Sequence, residues 1–417
     1  MTWRQVQLKQ VASVAVSNVD KKSSDHERPV RLCNYVDVYK NDLIDAALDY
    51  MRATASPAQI RSFGLRAGDT VITKDSETAK DIAVPAYVGE TIEGLVCGYH
   101  LAVVRPGPQV DPKYLFWCLS AEPMREQAAV AATGVTRFGL RQESLRNIAL
   151  SLPSIAEQRR IADFLDAQVA RLDMSASLRS HHAALEAERF RAVLDSRMRT
   201  PTLVGRTWPR LSYSTSLITS GPRGWSEFVG EAGPAFFRSA NLRRDSLRPR
   251  LDELAHVNLP PSTLAEAGRS RVRLGDVLVG ITGANTGWVT VVQEPELIGA
   301  HVSQHVCLVR VDDRQVRPGW LAYHLTSPSC SGVLLGAQYG GTKPQLSLAD
   351  LRNLRVPLPS LSDQNAWVSE LDQQREALGR LVNLGVRQET LLAERKRALI
   401  TAAVTGQLDV TTARGAA

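Results

Sequence analysis

The 417-residue chain is poor in several features that would each settle its class. It has no run of about 18 consecutive apolar residues, so no membrane-spanning helix is expected. Its opening residues, Met1-Thr2-Trp3-Arg4-Gln5, lack the apolar core of a secretory leader, so a cytoplasmic protein is expected. Cysteine is scarce: Cys33, Cys97, Cys118, Cys307 and Cys330 are odd in number and far apart. No Cys-x-x-Cys pair occurs, so neither a zinc site nor a disulfide framework is supported. The chain contains no His-Glu-x-x-His, no Walker loop and no Asn/Asp-Pro-Pro-aromatic sequence, so the usual signatures of metalloprotease, nucleotide and amino-methyltransferase chemistry are missing. What remains is ordinary for a globular protein, with 44% hydrophobic and 22% charged residues, and enough length for two or three domains. The net charge of +7 permits an anionic partner.

The length divides almost evenly, and the halves match. Leu145-Arg146-Asn147-Ile148 followed by Leu152-Pro153-Ser154 returns as Leu351-Arg352-Asn353-Leu354 followed by Leu358-Pro359-Ser360. Gln158 pairs with Gln364, Leu165-Asp166 with Leu371-Asp372, and Ala187-Glu188-Arg189 with Ala393-Glu394-Arg395, all at an offset of 206. Upstream, Gly134-x-Thr136-Arg137 matches Gly340-x-Thr342-Lys343, while Gly68-Asp69 matches Gly275-Asp276 at 207. Ordered agreement at a nearly constant offset indicates two copies of one unit.

Each copy opens with a mixed segment of short β-type runs, such as Thr70-Val71-Ile72-Thr73 and Val306-Cys307-Leu308-Val309, bounded by turn residues. A proline-free stretch follows, from Ser154 to Arg199 and from Ser360 to about Thr405. Ser154 with Glu157 fits a capping box, and Ser360 with Asp363 approximates one. Both stretches are expected to be long helices. Leu165, Val169 and Leu172 step by four and three, and Val193 continues that seam. Val368, Leu371, Leu378, Val382, Leu392 and Leu399 share a seven-residue frame. At ~1.5 Å per residue such a helix exceeds the width of one domain, so the two are expected to cover each other as a coiled coil. Two amphipathic helices, each packed on its own domain, is the competing reading. Arg179, Glu186 and Gly385 interrupt the expected seam.

Two like domains joined by two helices suit a repetitive ligand read at two places, and duplex DNA has half-sites about 34–36 Å apart per helical turn. Charge supports this only modestly. Residues 1–153 carry net +1, 154–200 net +1, 201–359 net +5 and 360–417 zero.

Candidate DNA contacts follow from chemistry that suits phosphate and base edges. Thr136 and Arg137, like Thr342 and Lys343, join a hydroxyl and a cation to a glycine loop, and a plain structural turn is the alternative. Lys21, Lys22, Lys40, Asn41, Lys74 and Ser76 lie beside strand-like runs in the first half. Arg223, Arg238, Asn241, Arg243, Arg244, Asn285 and Thr286 are their counterparts in the second, and each competes with a solvated surface role. The run Gly280 to Gly287 reads as a turn loop rather than a nucleotide cradle. His301 and His305, four apart beside a β-type run, do not form a metal motif, and no metal site is expected.

Leu150-Ser151-Leu152-Pro153-Ser154-Ile155-Ala156-Glu157-Gln158-Arg159-Arg160-Ile161, Leu354-Arg355-Val356-Pro357-Leu358-Pro359, and Glu394-Arg395-Lys396-Arg397 near the end of the second stretch resemble the specificity subunit of type I restriction–modification systems. The similarity covers essentially the whole chain and weakens at Asn365-Ala366-Trp367, where the first copy has Arg159-Arg160-Ile161. It implies an α+β protein in which two mixed target-recognition domains, 1–153 and 201–359, are separated by antiparallel helical spacers, 154–200 and 360–417, forming a coiled coil. It implies a non-catalytic reader of a split, asymmetric double-stranded DNA target. Two modification subunits would carry S-adenosylmethionine and methyl transfer, restriction subunits would join them, and this chain would hold no cofactor. A nuclease or methyltransferase acting alone and a coiled-coil adaptor without a DNA role are the readings from other classes.

Overall fold

The computed structural model describes residues 3–199, 208–244, 246–337 and 345–410, without the side chains of 262, 264–266 and 335. The chain forms two compact units, one of residues 1–179 with 386–417 and one of residues 180–385. Thr342 and Lys343 lie outside the described residues.

The first unit is built on a five-stranded sheet ordered Ala12–Val16, Leu101–Pro106, Thr70–Thr73, Pro85–Val88, Leu43–Ile44. Leu101–Pro106 lies at its heart because Leu101 to Val104 is apolar on both faces, and all four residues are buried. It runs antiparallel to both neighbours, with Ala102 opposite Val16 on one side and Ile72 on the other. A second sheet orders Met51–Ala55, Arg28–Cys33 and Leu95–Cys97, the last two parallel. The second unit repeats this plan. Thr215–Ser220, Val306–Val311, Val277–Gly280 and Val289–Val291 form one sheet, and Ala255–Val257, Val229–Phe237 and His301–Val302 the other, again with one parallel pair.

The proline-free stretches are helices, Ile155–Met198 and Leu361–Val404. Both start at the expected serines. The Ser360 hydroxyl donates to the Asp363 carboxylate at 2.7 Å and accepts from its N–H at 3.1 Å, a tighter cap than the 3.4 Å bond from Glu157 N–H to Ser154.

The helices pack together within each unit. In the first, Ile161, Ala162, Leu165 and Val169 share a core with Ile400, Ala403 and Val404, and Lys396 reaches Asp173. In the second, Phe190, Leu194 and Met198 share a core with Leu371, and the Arg375 guanidinium lies 5.5 Å over the Phe190 ring. Arg197 there bonds Glu370 at 2.7 Å. Going from Phe190 to Arg197 therefore means going back from Arg375 to Glu370, so the pair is antiparallel.

The expected seam holds at Leu165, Val169 and Leu371, which are buried, and at Leu172, Val193, Leu378 and Leu399, which are half-buried. Val382 is a correction: it is 43% exposed, and Leu381 is half-buried in its place. A straight helix turns every 3.6 residues, so a strict 3.5-residue frame drifts off the contact line. The alternate positions of that frame are occupied by Arg375, Glu389 and Lys396, which supply no apolar knob to hold it.

Candidate nucleic-acid interface

In the first unit a short ribbon protrudes from the main sheet. Asp75–Ser76 pairs antiparallel with Phe138–Gly139, Ser76 facing Phe138, and Leu140 N–H donates to the Lys74 carbonyl at 2.8 Å. The loop feeding this ribbon contains Thr136 and Arg137, both exposed. Gly134 there has φ +146, and a Cβ would collide with the Arg137 carbonyl, so the loop requires glycine.

Beside the ribbon, Tyr99 and His100 end the turn that leads into the central strand. His100 Nδ1 lies 2.7 Å from an Asp75 carboxylate oxygen, and the Lys74 ammonium reaches the same oxygen at 3.0 Å. Burial would raise the Asp75 carboxyl, but the hydrogen bonds from His100 and Lys74 outweigh it and hold the group below its ordinary value. Lys74 also sits 4.6 Å over the Tyr99 ring and keeps only 12% of its side chain exposed. Arg137 brings Nη2 to 3.4 Å from His100 Nδ1. On the helix Tyr35–Lys40, Tyr35 and Tyr39 stack at 5.4 Å, and Tyr39 donates to Asp81 at 2.6 Å. Tyr99 is 49% and Tyr39 42% exposed. Cations interleaved with exposed aromatic rings suit a phosphate backbone and the base edges beside it.

The structure thus brings Lys74, Ser76, Thr136 and Arg137 to one face and reassigns two of them. Lys74 is a support beneath Tyr99 and Asp75 rather than a free cation. Ser76 is buried, its hydroxyl accepting from Thr78 N–H at 3.3 Å. Lys21 and Lys22 are exposed on another loop, and Lys40 is exposed at the end of its helix. Asn41 ends that helix too, donating its side-chain amide to the Asp37 carbonyl at 2.8 Å. Tyr35, Tyr99 and His100 are contributions that the residue-by-residue reading missed. The available signal was the pair Tyr99-His100 just ahead of an apolar run, matched by Gln304-His305.

In the second unit Arg223, Arg243 and Arg244 are exposed. Asn241 is a correction: it is 1% exposed, accepts from Arg238 N–H at 2.9 Å and donates to the Arg250 carbonyl at 3.0 Å, so both ends of its amide are used inside the fold. Arg238 is half-buried against the Glu253 carbonyl. Asn285 donates to the Ser239 carbonyl at 2.8 Å and Thr286 to the Gly283 carbonyl at 2.7 Å. Both therefore shape the 280–287 loop, and Gly280 leaves no room for a Cβ beneath the Asn285 carbonyl. His301 is buried against Ser270 at 3.0 Å, and burial with Arg271 nearby pushes its imidazole down. Among the described residues no group of three or more His, Cys, Asp or Glu side chains is placed to hold a metal ion, and no helix is long and apolar enough to cross a membrane.

The repeat extends to individual hydrogen bonds. Arg105 grips Asp69 at 2.8 and 2.7 Å, as Arg310 grips Asp276. The Gln158 side chain accepts from Asp111 N–H and donates to the Gln109 and Pro153 carbonyls. Gln364 does the same with Arg317, Gln315 and Pro359. Trp117 donates to Asp166 where Tyr323 donates to Asp372. The ribbon has its counterpart as well, in the bridge Thr282 to Gln345 and the bond from Leu346 N–H to the Ile281 carbonyl.

Two copies of one mixed α/β frame, each closed by halves of two long helices, define a tandem-repeat scaffold. Residues 2–178 match the family described as type I restriction modification DNA specificity domain. Over 301 residues the chain is 25% identical to the type I restriction enzyme EcoBI specificity subunit of Escherichia coli, a match covering 65% of this chain and 62% of that protein's length. In fold it is similar to a solved chain from a study of complex assembly and conformational transition in the type I R-M system, with TM-score 0.74, 19% identity and 98% of both chains covered. It is also similar to the HsdS subunit from Thermoanaerobacter tengcongensis, with TM-score 0.54, 20% identity and 97% of both covered. In sequence the likeness to type I restriction–modification specificity domains is thus carried by residues 2–178, and in fold the likeness to the solved chains spans nearly the whole length.

Proposed function

We propose that this chain is the non-catalytic, DNA-reading subunit of a type I restriction–modification complex. Each unit would contact one half of a split, asymmetric duplex target. The observation that carries this reading is the repeat itself. One hydrogen-bonded frame occurs twice, while the residues at the ribbon differ: Lys74, Asp75 and Ser76 in one unit stand where Ile281, Thr282 and Gly283 stand in the other. A frame kept constant beneath a changed face suits two related readings of unlike base sequences. Two modification subunits would dock on the helices and supply S-adenosylmethionine and methyl transfer, restriction subunits would join them, and the assembly would work on DNA in the cytoplasm.

The test is to assemble the chain with its modification subunits and map methylated sites before and after residues 1–153 are exchanged for another such domain. One half-site should change and the other persist. An unchanged target would sink the reading, and Mg²⁺-dependent cleavage by the isolated chain would replace it with an enzymatic one.

A further inference from the structure

The loop that feeds the ribbon of the first unit carries an apolar side chain into solvent. Val135 is 92% exposed. The backbone holds it there. Thr133 N–H donates to the Gly139 carbonyl at 3.1 Å, and Gly139 N–H donates to the Thr133 carbonyl at 2.9 Å, so the loop 134–138 is closed at its base. Gly134, at φ +146 with the Arg137 carbonyl where a Cβ would sit, fixes the turn. Gly139 also lies opposite Asp75, so the loop continues the ribbon outward. Thr136 and Arg137 flank Val135 and are exposed with it, and Arg137 Nη2 lies 3.4 Å from His100 Nδ1. At the offset of 206 the second copy has Gly341 where the first has Val135.

We propose that Val135 is a specificity-determining residue of the first unit, resting on the DNA-reading role above: it enters the major groove and packs on the C5-methyl group of a thymine. Size selects the groove. A two-stranded ribbon fits the major groove, about 12 Å wide, and not the minor groove, about 6 Å wide. Chemistry selects the base. An isopropyl group offers neither a donor nor an acceptor, and the thymine C5-methyl is the apolar group that base pairs present in the major groove. Cytosine puts an amino group on that edge instead, and its N–H would lose water against Val135 without gaining a partner. Val135 thus accepts thymine and penalises cytosine. Its neighbours suit DNA rather than an apolar protein surface, since the Thr136 hydroxyl and the Arg137 guanidinium are donors for the flanking phosphates. The closed loop is ordered before contact, so little conformational freedom is lost on binding. Gly341 has no side chain to make the same contact, which confines this thymine dependence to one half-site.

The experiment uses the full chain assembled with its modification subunits, and duplexes carrying the mapped target. Each thymine in the half-site assigned to residues 1–153 is replaced singly by deoxyuridine, which lacks only the C5-methyl. At one position the unsubstituted complex should lose about fourfold in affinity, the worth of one methyl-sized group taken out of water. At that position Val135→Ala should bind the thymine and deoxyuridine duplexes nearly equally, and Val135→Gly, which carries the residue of the second copy, should do the same. Deoxyuridine in the other half-site should affect all three complexes alike. The assignment is overturned if no deoxyuridine in the first half-site weakens binding, or if the loss keeps its size in Val135→Ala. An unsubstituted complex that prefers no sequence would instead bring down the DNA-reading role, and this assignment with it.

Discussion

Arg105 lays Nε and Nη2 across the two carboxylate oxygens of Asp69, at 2.8 and 2.7 Å, with Asp69 2% and Arg105 28% exposed. Asp69 uses the same carboxylate to accept from Arg66 N–H at 2.9 Å, and Arg105 also donates to the Gly64 carbonyl at 2.8 Å. One ion pair thus ties the turn at Gly68 to the central strand. Asp69→Ala should destabilise the first unit by about 3–5 kcal/mol, because it leaves a half-buried guanidinium without its counter-ion. Asp276→Ala should do the same to the second unit. Chemical denaturation of both variants checks this, and a loss below about 1 kcal/mol in either would refute the role.

Gln158 is 1% exposed, and its side chain makes three hydrogen bonds that join the start of a long helix to the Gln109–Asp111 turn. Gln158→Ala should cost about 3 kcal/mol, near 1 kcal/mol per bond lost. Gln364→Ala should match it in the other unit. Thermal melting that separates the two units would show a different unit weakened by each variant.

His324 is buried, its Nε2 bonded to the Arg355 carbonyl at 3.0 Å and its Nδ1 without a hydrogen-bond partner among the described residues. Burial lowers its imidazole from 6.5 to about 4. Between those values the unfolded chain binds a proton that the folded one refuses, so this contribution to stability is full above pH 6.5 and is lost as pH falls towards 4. The loss is on the order of 3 kcal/mol. The equivalent place in the first unit holds Cys118, so acid should weaken the second unit selectively. Urea titrations at pH 7 and pH 4.5 should show this, and His324→Gln should flatten the difference. A slope that survives the substitution would point to another group.

Leu165→Ala and Leu371→Ala should each cost about 2–5 kcal/mol, since both side chains are fully buried between helix and domain. Val382→Ala, at an exposed position, should fall within about 0.5 kcal/mol of the parent. Circular dichroism of the three variants distinguishes the observed seam from a strict seven-residue frame, which predicts similar losses at all three.

The repeat and both helices were legible because they rest on spacing. Gln158 with Gln364, Gly68-Asp69 with Gly275-Asp276, and Leu165 with Leu371 each mark a position that the fold uses in the same way twice. The recognition face was only partly legible, because it is assembled from separate pieces of chain. Tyr35, His100 and Arg137 meet across a ribbon whose strands are two residues long, too short for any alternation to register. Polar residue types alone also misled. Asn241 and Asn285 have side chains suited to base edges, yet each is taken up by a nearby carbonyl, and nothing in composition separates those uses.

The division of the chain into 180–385 and the segments on either side of it bears on the order of synthesis. The second unit is one contiguous stretch and has all its residues once position 385 has emerged. The first unit must wait, because Ile400, Ala403 and Val404 complete the core that Val6 and Leu8 begin. Until they arrive, Ile161, Ala162 and Leu165 lack part of their cover, and the half-made unit is the one exposed to misassembly. A chain stopped shortly after Gly385 would therefore damage the unit built around its earliest residues while sparing the one made later.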